Sequence, residues 1–273
     1  MEMNILAKPS LDDILGAVRK DMDRRRHEKT LRQQMSLANK RKDHRDFGMA
    51  LRRKSGQPIK WIGEVKKASP SAGLIRPDFD PVVTAGMYAK KGACAVSVLT
   101  ENVYFQGSLS DLTAVHSAVT LPVLRKDFTV DEYQIVEAAA AGADAVLLIV
   151  AILQSKQIEE FMKIAGDNNI GCLVEVHTPD ELNKALDAGA LILGINNRNL
   201  KTLEVDLGMT EKLFPQIPKG MIAVTESGYK TREEIQKAQA LGLDAVLIGE
   251  TLMRSPDPGQ KAEELFGAQG TQR

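Results

Sequence analysis

The sequence predicts a (β/α)8 barrel, and three features support this fold class. Eight short apolar segments follow one another after Gly56, each short and β-branched enough to be a buried parallel strand. Each segment is followed by a helix-like stretch, for example 81–91, 131–141 and 231–240. The near-repeats AGADAV at 141–146 and LGLDAV at 241–246 mark equivalent turns. This repetition favours a closed barrel over a doubly wound sheet, and 273 residues suffice for one barrel domain.

We expect this single domain, spanning residues 1–273, to have three parts. Residues 1–56 form an extra N-terminal helical segment, residues 57–254 the barrel core, and residues 255–273 a last helix near 260–266 with a polar tail. Glycines that follow helical stretches fit left-handed C-terminal caps, namely Gly92, Gly142, Gly189 and Gly242. The predicted strands are 61–65, 95–99, 122–124, 145–150, 172–176, 191–195, 221–225 and 245–248.

The N-terminal segment is strongly basic, with Arg24, Arg25, Arg26 and Arg41 among its cations. An arm that binds nucleic acid is one interpretation. Acidic residues are interspersed, however, and no aromatic residue lies within the basic run from 24 to 42. Solvated helix faces are therefore the favoured interpretation.

Composition limits the class of partner. Lys plus Arg and Asp plus Glu both number 36, so the net charge of +0 gives no reason to expect nucleic-acid or membrane binding. No apolar signal stretch begins the chain, and no apolar run approaches the roughly 20 residues of a membrane span. Cys94 and Cys172 lie in separate apolar segments, as core thiols in a reducing cytoplasm would. We expect a cytoplasmic monomer with small-molecule partners.

Charged side chains follow the predicted strands at the edge where barrel enzymes place their active sites. Strand one ends in Glu64 and Lys66, strand three in Lys126, strand five in Glu175, and strand six in Asn196 and Arg198. Residues two apart share a face of a strand, so the even-numbered ones are expected to face the barrel axis. Structural ion pairs explain any one of these charges equally well. Together they indicate mutual pairing or an anionic ligand at one mouth.

Two glycine-bearing segments follow strands seven and eight, the usual phosphate site of such barrels. Glycine lets backbone N–H groups approach an anion, and a following helix N-terminus favours it. Turns also need glycine, so a single glycine is weak evidence. The position of both segments together, after strands seven and eight, is what predicts phosphate binding. Because a carboxylate repels phosphate, we assign any contact at Glu250 to its backbone. The candidate phosphate-binding residues are Lys66, Ser227, Gly228, Gly249 and Glu250.

The sequence contains no metal-ligand spacing, no GxSxG motif and no dinucleotide fingerprint after the first strand. His177 lies closest to the predicted mouth, and a structural role is favoured for it. We therefore expect no metal and no cofactor. The loop 69–73 after strand one is long enough to be a lid or is merely a connection.

At these positions the sequence resembles the indole-3-glycerol phosphate synthase family. The resemblance covers nearly everything from Trp61 to Met253, and several stretches are long and in the correct order. They are GEVKKASPSAGLI, SVLTENVYFQGSL, LPVLRKDFTVDEYQI, AGADAVLLIVAIL, LVEVHTPDEL, GINNRNLKTLEVDL, TESGY and IGETLM.

The resemblance implies a carboxy-lyase of tryptophan biosynthesis that needs no cofactor. Its substrate would be 1-(2-carboxyphenylamino)-1-deoxyribulose 5-phosphate, which loses carbon dioxide and water on ring closure. By resemblance, Lys126 is the general acid, Glu175 serves later proton transfers, and Lys66 holds an anionic group of the substrate or acts as the acid for dehydration. Glu64 and Asn196 orient the lysines and the substrate hydroxyls. The rest of the substrate-binding mouth is formed by Ser69, Phe105, Phe128, Arg198 and Ser227.

Acid catalysis at a carbonyl suits a lysine whose pKa is lowered by neighbouring cations, and we expect Lys126 to have such neighbours. Two rival functions remain to be weighed. A phosphosugar isomerase, such as phosphoribosylanthranilate isomerase, would share the phosphate loops, but the basic N-terminal helices and the EVKK motif argue against it. An idle barrel that binds a phosphorylated ligand or a partner protein is disfavoured by the complete set of charged residues at the mouth.

Overall fold

Eight parallel strands close into a barrel, which confirms the predicted fold class. The computed structural model describes residues 9–267, so residues 1–8 and the predicted tail from 268 onward lie outside the described residues. The strands are β1 (Lys60–Val65), β2 (Ala95–Leu99), β3 (Val123–Lys126), β4 (Ala145–Ile149), β5 (Gly171–Val176), β6 (Ile192–Asn196), β7 (Ile222–Glu226) and β8 (Ala245–Ile248). Their order around the barrel is β1-β8-β7-β6-β5-β4-β3-β2, and β1 closes it by pairing with both β2 and β8.

The helices lie outside the strands, and their ends follow local sequence signals. Thr231 forms a capping box with Glu234 at the start of one helix, and Gly142 ends another with φ of +104°. The helices are α1 (Leu11–Glu28), α2 (Leu31–Ala38), α3 (Phe47–Leu51), α4 (Pro81–Lys90), α5 (Leu109–Ala118), α6 (Glu132–Ala141), α7 (Ser155–Asp167), α8 (Pro179–Asp187), α9 (Gly208–Leu213), α10 (Arg232–Leu241), α11 (Glu250–Met253) and α12 (Pro258–Phe266). None of the helices in this part of the chain is long and apolar enough to cross a membrane.

Side chains alternate between two apolar cores, as strands buried on both faces require. One cluster joins the strands to the surrounding helices, and the other fills the barrel, with Ile62, Leu124 and Leu173 among its members. Continuing the alternation from these three inward residues brings Glu64, Lys126 and Glu175 to the barrel mouth. The inward positions are even-numbered in β1 and β3 but odd-numbered in β5, so the predicted parity holds only strand by strand.

The N-terminal segment is docked on the barrel, and some of its cations are not solvated. Phe47 and Leu51 of α3 are fully buried in the cluster that fills the barrel. The Arg25 Nε donates to Glu137 Oε1 of α6 at 2.8 Å, and Arg41, with a side chain only 7% exposed, pairs with the buried Asp144. The prediction of solvated faces is therefore wrong for these two arginines, because their carboxylate partners lie on the barrel about a hundred residues further along the chain.

The last helix is joined to the first strand by aromatic packing. Trp61, the only tryptophan of the chain, lies on β1 and is fully buried. Its ring stacks on Phe266 of α12 with centroids 5.0 Å apart, and Tyr88 of α4 meets it edge-on at 5.6 Å. This packing fastens α12 against the outer face of β1, which lies at the closing seam of the barrel.

Candidate active site

A cavity of about 900 Å³ lies at the C-terminal ends of the strands. It brings together residues from all eight strands or the segments that follow them. Leu11 and Ile14 of α1 also line it, so the N-terminal segment contributes to the mouth. All the predicted site residues line this one cavity, namely Glu64, Lys66, Ser69, Phe105, Lys126, Phe128, Glu175, Asn196, Arg198, Ser227, Gly228, Gly249 and Glu250.

Two lysines at the centre of the cavity are paired with carboxylates. The Lys126 Nζ lies 3.3 Å from Glu175 Oε2, and the Lys66 Nζ lies 2.5 Å from Glu64 Oε1. The Asn196 Nδ2 donates to the other Glu175 oxygen at 3.0 Å. These contacts fix the directions of both lysines, and such mutual pairing is one of the two alternatives that the clustered charges predict.

Lys126 has carboxylates rather than cations as its close neighbours, so the predicted lowering of its pKa is wrong. Burial by itself lowers the pKa of Lys126, but the charges of Glu175, Glu226 and Glu64 outweigh burial and raise the pKa above its ordinary value. Arg125, the cation next to Lys126 in the sequence, points away from the cavity towards α6. Lys126 is therefore protonated at neutral pH, which is the form a general acid requires.

Glu226 belongs to this centre and was not among the predicted site residues. It ends β7, its Oε2 lies 3.6 Å from Lys126 Nζ, and its Oε1 sits above Gly194, where a Cβ would be only 2.3 Å away. Burial, reinforced by the charges of Glu175 and Glu64, raises the pKa of Glu226 to about 8, although Lys126 opposes this. Its position at the end of an apolar run is the available sequence signal, but the Ser227–Gly228 pair that follows it indicates phosphate binding.

Lys126 is supported from behind by a buried network around Arg125. The Arg125 guanidinium donates to Asp127 at 3.0 Å, to Glu137 at 3.0 Å and to the Thr100 hydroxyl at 3.1 Å. A fully buried cation requires such pairing, because an unpaired charge in this position would be strongly unfavourable. The network holds the end of β3, from which Lys126 and Phe128 extend to the cavity.

The predicted phosphate segments have the backbone geometry that a close approach requires. Ser227 and Gly228 have positive φ values of 69° and 95°. Gly249 packs against Glu64, whose Oε1 lies 2.5 Å from the position of a Cβ at Gly249. Any larger residue would push the Glu64 carboxylate out of place.

The Glu250 side chain, whose charge would oppose phosphate, is engaged by two arginines. Its carboxylate lies 3.6 Å from Arg198 and 3.0 Å from Arg254. These cations offset its negative charge beside the glycine segments. The geometry is compatible with the prediction that Glu250 offers its backbone rather than its side chain.

Apolar side chains and further loops complete the mouth. The Phe105 and Phe128 rings lie 6.2 Å apart at 48° and both line the cavity. The predicted lid or connection after strand one is a small hairpin that pairs Ala68–Ser69 with Gly73–Leu74.

His177 contacts the backbone oxygen of Asn196 at 2.8 Å. In residues 9–267 no three or more His, Cys, Asp and Glu side chains are grouped so that they could hold a metal ion.

The fold and the cavity define a (β/α)8-barrel enzyme equipped for acid–base chemistry. A sequence model of the indole-3-glycerol phosphate synthase family matches residues 11–265. The indole-3-glycerol phosphate synthase of Dehalococcoides mccartyi strain 195 is 50% identical over 224 residues, which are 81% of this chain and 85% of that protein. The protein of that name from Laribacter hongkongensis is 44% identical over 258 residues, covering 94% of this chain and 98% of its own. The chain therefore belongs to the indole-3-glycerol phosphate synthase family, as its motifs predict.

Solved structures show the same fold at much lower sequence identity. A crystal structure of 3-hexulose-6-phosphate synthase has a TM-score of 0.63 at 20% identity, with 78% of this chain and all of that chain covered. A mutant tryptophan synthase alpha-subunit from Pyrococcus furiosus has a TM-score of 0.58 at 17% identity, covering 76% of this chain and 98% of its own. At these identities the likeness supports the barrel fold alone.

Proposed function

We propose that this chain converts 1-(2-carboxyphenylamino)-1-deoxyribulose 5-phosphate into indole-3-glycerol phosphate, carbon dioxide and water, with Lys126 as the general acid of ring closure. The observation that carries the proposal is that two lysines, each paired with a carboxylate, and three carboxylates in all lie at the mouth of a barrel of the indole-3-glycerol phosphate synthase family. The substrate is a small molecule that carries a dianionic phosphate and a carboxylate. Cationic side chains and glycine segments at this mouth suit both groups.

In the ring-closing step, the aromatic carbon that bears the carboxylate attacks the sugar carbonyl carbon. The carbonyl π electrons move to its oxygen, which becomes an alkoxide and takes a proton from the Lys126 ammonium. An alkoxide is far more basic than any lysine amine, so this transfer remains favourable even with the raised pKa of Lys126. The carbon–carboxylate bond then breaks, and its electron pair restores the aromatic ring as carbon dioxide leaves.

Dehydration follows at the same small region. The new hydroxyl leaves as water after accepting a proton, and a proton is removed so that the indole double bond forms. We assign this transfer to Glu175, and its contacts with Lys126 on one oxygen and Asn196 on the other support the assignment. Lys66 either supplies the proton to the departing hydroxyl or holds an anionic group of the substrate. Glu64, at 2.5 Å, fixes its direction.

The substrate ends are assigned to opposite sides of the cavity. Ser227, Gly228 and the Gly249–Glu250 backbone bind the phosphate, with Lys66 nearby. Phe105 and Phe128 pack against the anthranilate ring. Ser69 and Arg198 complete the binding mouth. We also propose that the chain acts as a monomer, which the elution volume on a calibrated size-exclusion column tests.

The test is to add the substrate to purified protein without metal or nucleotide and to follow indole fluorescence with time. We expect rapid signal growth in the wild type, and a loss of about 10²- to 10⁴-fold in Lys126→Ala and Glu175→Ala, with unchanged circular dichroism. Lys156→Ala is the matched control, because that lysine is 85% exposed on α7. Near-wild-type turnover in either cavity variant would remove that residue from the mechanism.

A further inference from the structure

The loop from Glu101 to Gly107, between β2 and α5, contains no helix or strand, yet both of its ends are fixed. The Gly107 N–H donates to the Glu101 carbonyl oxygen at 2.8 Å. A Cβ on Gly107 would lie only 2.1 Å from the Leu99 carbonyl oxygen. The base of the loop can therefore close in this way only with glycine at that position.

The interior of the loop is organised by one carboxylate. Glu101 is 3% exposed, and its Oε1 accepts a hydrogen bond from the Val103 N–H at 2.9 Å. Its Oε2 accepts from the Tyr104 N–H at 2.7 Å and from the Phe105 N–H at 2.9 Å. Three consecutive backbone donors thus converge on a single side chain, an arrangement that binds anions well. Among the described residues, no lysine, arginine or histidine lies within ion-pair distance of Glu101.

Those hydrogen bonds set where the Phe105 ring lies. The backbone N–H of Phe105 donates directly to Glu101. The centroid of the Phe105 ring lies 6.2 Å from that of Phe128 at the cavity wall. Val103, beside them in the loop, has a side chain that is half exposed to solvent. Tyr104 and Phe105 pack against the cluster that fills the barrel, and the Glu101 carboxylate binds the backbone N–H group of each of them.

We propose that Glu101 is a positioning residue that holds Phe105 as a platform for the aromatic end of the substrate. This inference rests on the proposed function, because it requires a substrate with an aryl ring beside Phe105. Glu101 does not line the cavity, so it acts through Phe105 and contributes to ring recognition rather than to proton transfer. Its effect is specific to one end of the substrate, since the phosphate segments follow β7 and β8, on a different part of the barrel rim.

The experiment compares Glu101→Gln with Phe105→Ala and with the double variant. Glutamine has one acceptor oxygen, so at least one of the three N–H groups loses its partner. We expect KM to rise about tenfold in Glu101→Gln and kcat to change less than about twofold. In the Phe105→Ala background, Glu101→Gln should raise KM by less than about twofold, because the platform is already gone. Val103→Ala in the same loop is the matched control and should leave both constants unchanged.

A second measurement separates positioning from general destabilisation. Inorganic phosphate, tested as a competitive inhibitor, should have the same inhibition constant in Glu101→Gln as in the wild type. An equal weakening for phosphate and substrate, or additive effects in the double variant, would overturn the proposal. If the wild type itself forms no indole product, the proposed function fails instead, so the two failures are distinguishable.

Discussion

The raised pKa of Glu226 predicts that replacing this residue changes how stability depends on pH. Glu226 is fully buried, and its pKa of about 8 lies above the ordinary value of 4.5. Between these pH values the folded protein keeps a proton that the unfolded chain has lost. Stability therefore decreases as pH rises through this window, because the unfolded state binds fewer protons than the folded state. Glu226→Gln has the same shape and no ionisation, so it removes this contribution.

The size of the effect follows from the two pKa values. They differ by about 3.5, and each tenfold change in an acid constant corresponds to about 1.4 kcal/mol, so the full effect is about 5 kcal/mol. Only part of it falls between pH 5 and pH 8, and Lys126 can readjust its contacts. We therefore compare the free energy of unfolding of Glu226→Gln with that of the wild type at each pH. The difference, variant minus wild type, should be about 3 kcal/mol larger at pH 8 than at pH 5.

Urea denaturation at pH 5 and at pH 8 measures this difference. Glu233→Gln on α10 is the control. The pKa of Glu233 is lowered by a backbone hydrogen bond and by the Thr231 hydroxyl, so it is ionised in both states throughout the range. A gain below about 0.5 kcal/mol for Glu226→Gln would refute the reasoning and show that Glu226 is ionised beside Lys126 in the folded protein.

Three further perturbations test other parts of the site. Arg125→Met leaves the buried Asp127 without a cationic partner, while Glu137 keeps Arg25. It should lower the free energy of unfolding by about 3–5 kcal/mol in urea denaturation, and a loss below about 1 kcal/mol would contradict a paired network. Gly249→Ala displaces the Glu64 carboxylate and should lower kcat/KM about 10- to 100-fold in the indole assay, whereas Gly16→Ala on α1, where a Cβ meets nothing within 4 Å, should not. In the wild type, KM for the anionic substrate should rise above pH 8 as Glu226 ionises, and a flat profile would exclude this charge effect.

The barrel was predictable because each strand is a short apolar run with clear boundaries. The segments at 95–99 and 245–248 agree with β2 and β8, and the other strands differ by at most two residues at either end. The position of the site was also predictable, because polar residues that end inward-facing runs must meet at one rim. Lys126 illustrates this, since the inward position of Leu124 two residues earlier determines its direction.

The electrostatics of the site were not predictable from neighbours in sequence. Lys126 follows Arg125, yet its charged neighbours in space come from β1, β5 and β7, and all three are carboxylates. Arg41 was expected in solvent, but its partner Asp144 precedes β4. In both cases the deciding contact joins residues far apart in the chain. The local sequence pattern carries no information about the charge of such a distant partner.

The packing of Trp61 on Phe266 has a consequence for how the chain matures during synthesis. Trp61 lies on the first strand, and its stacking partner belongs to the last helix. While a ribosome is still making the chain, Tyr88 of α4 can pack against Trp61, but the face that Phe266 covers stays open until the last helix has emerged. Completion of this packing is thus a late event, in which the first strand meets the last helix. Since Trp61 is the only tryptophan in the chain, its emission reports when this packing forms.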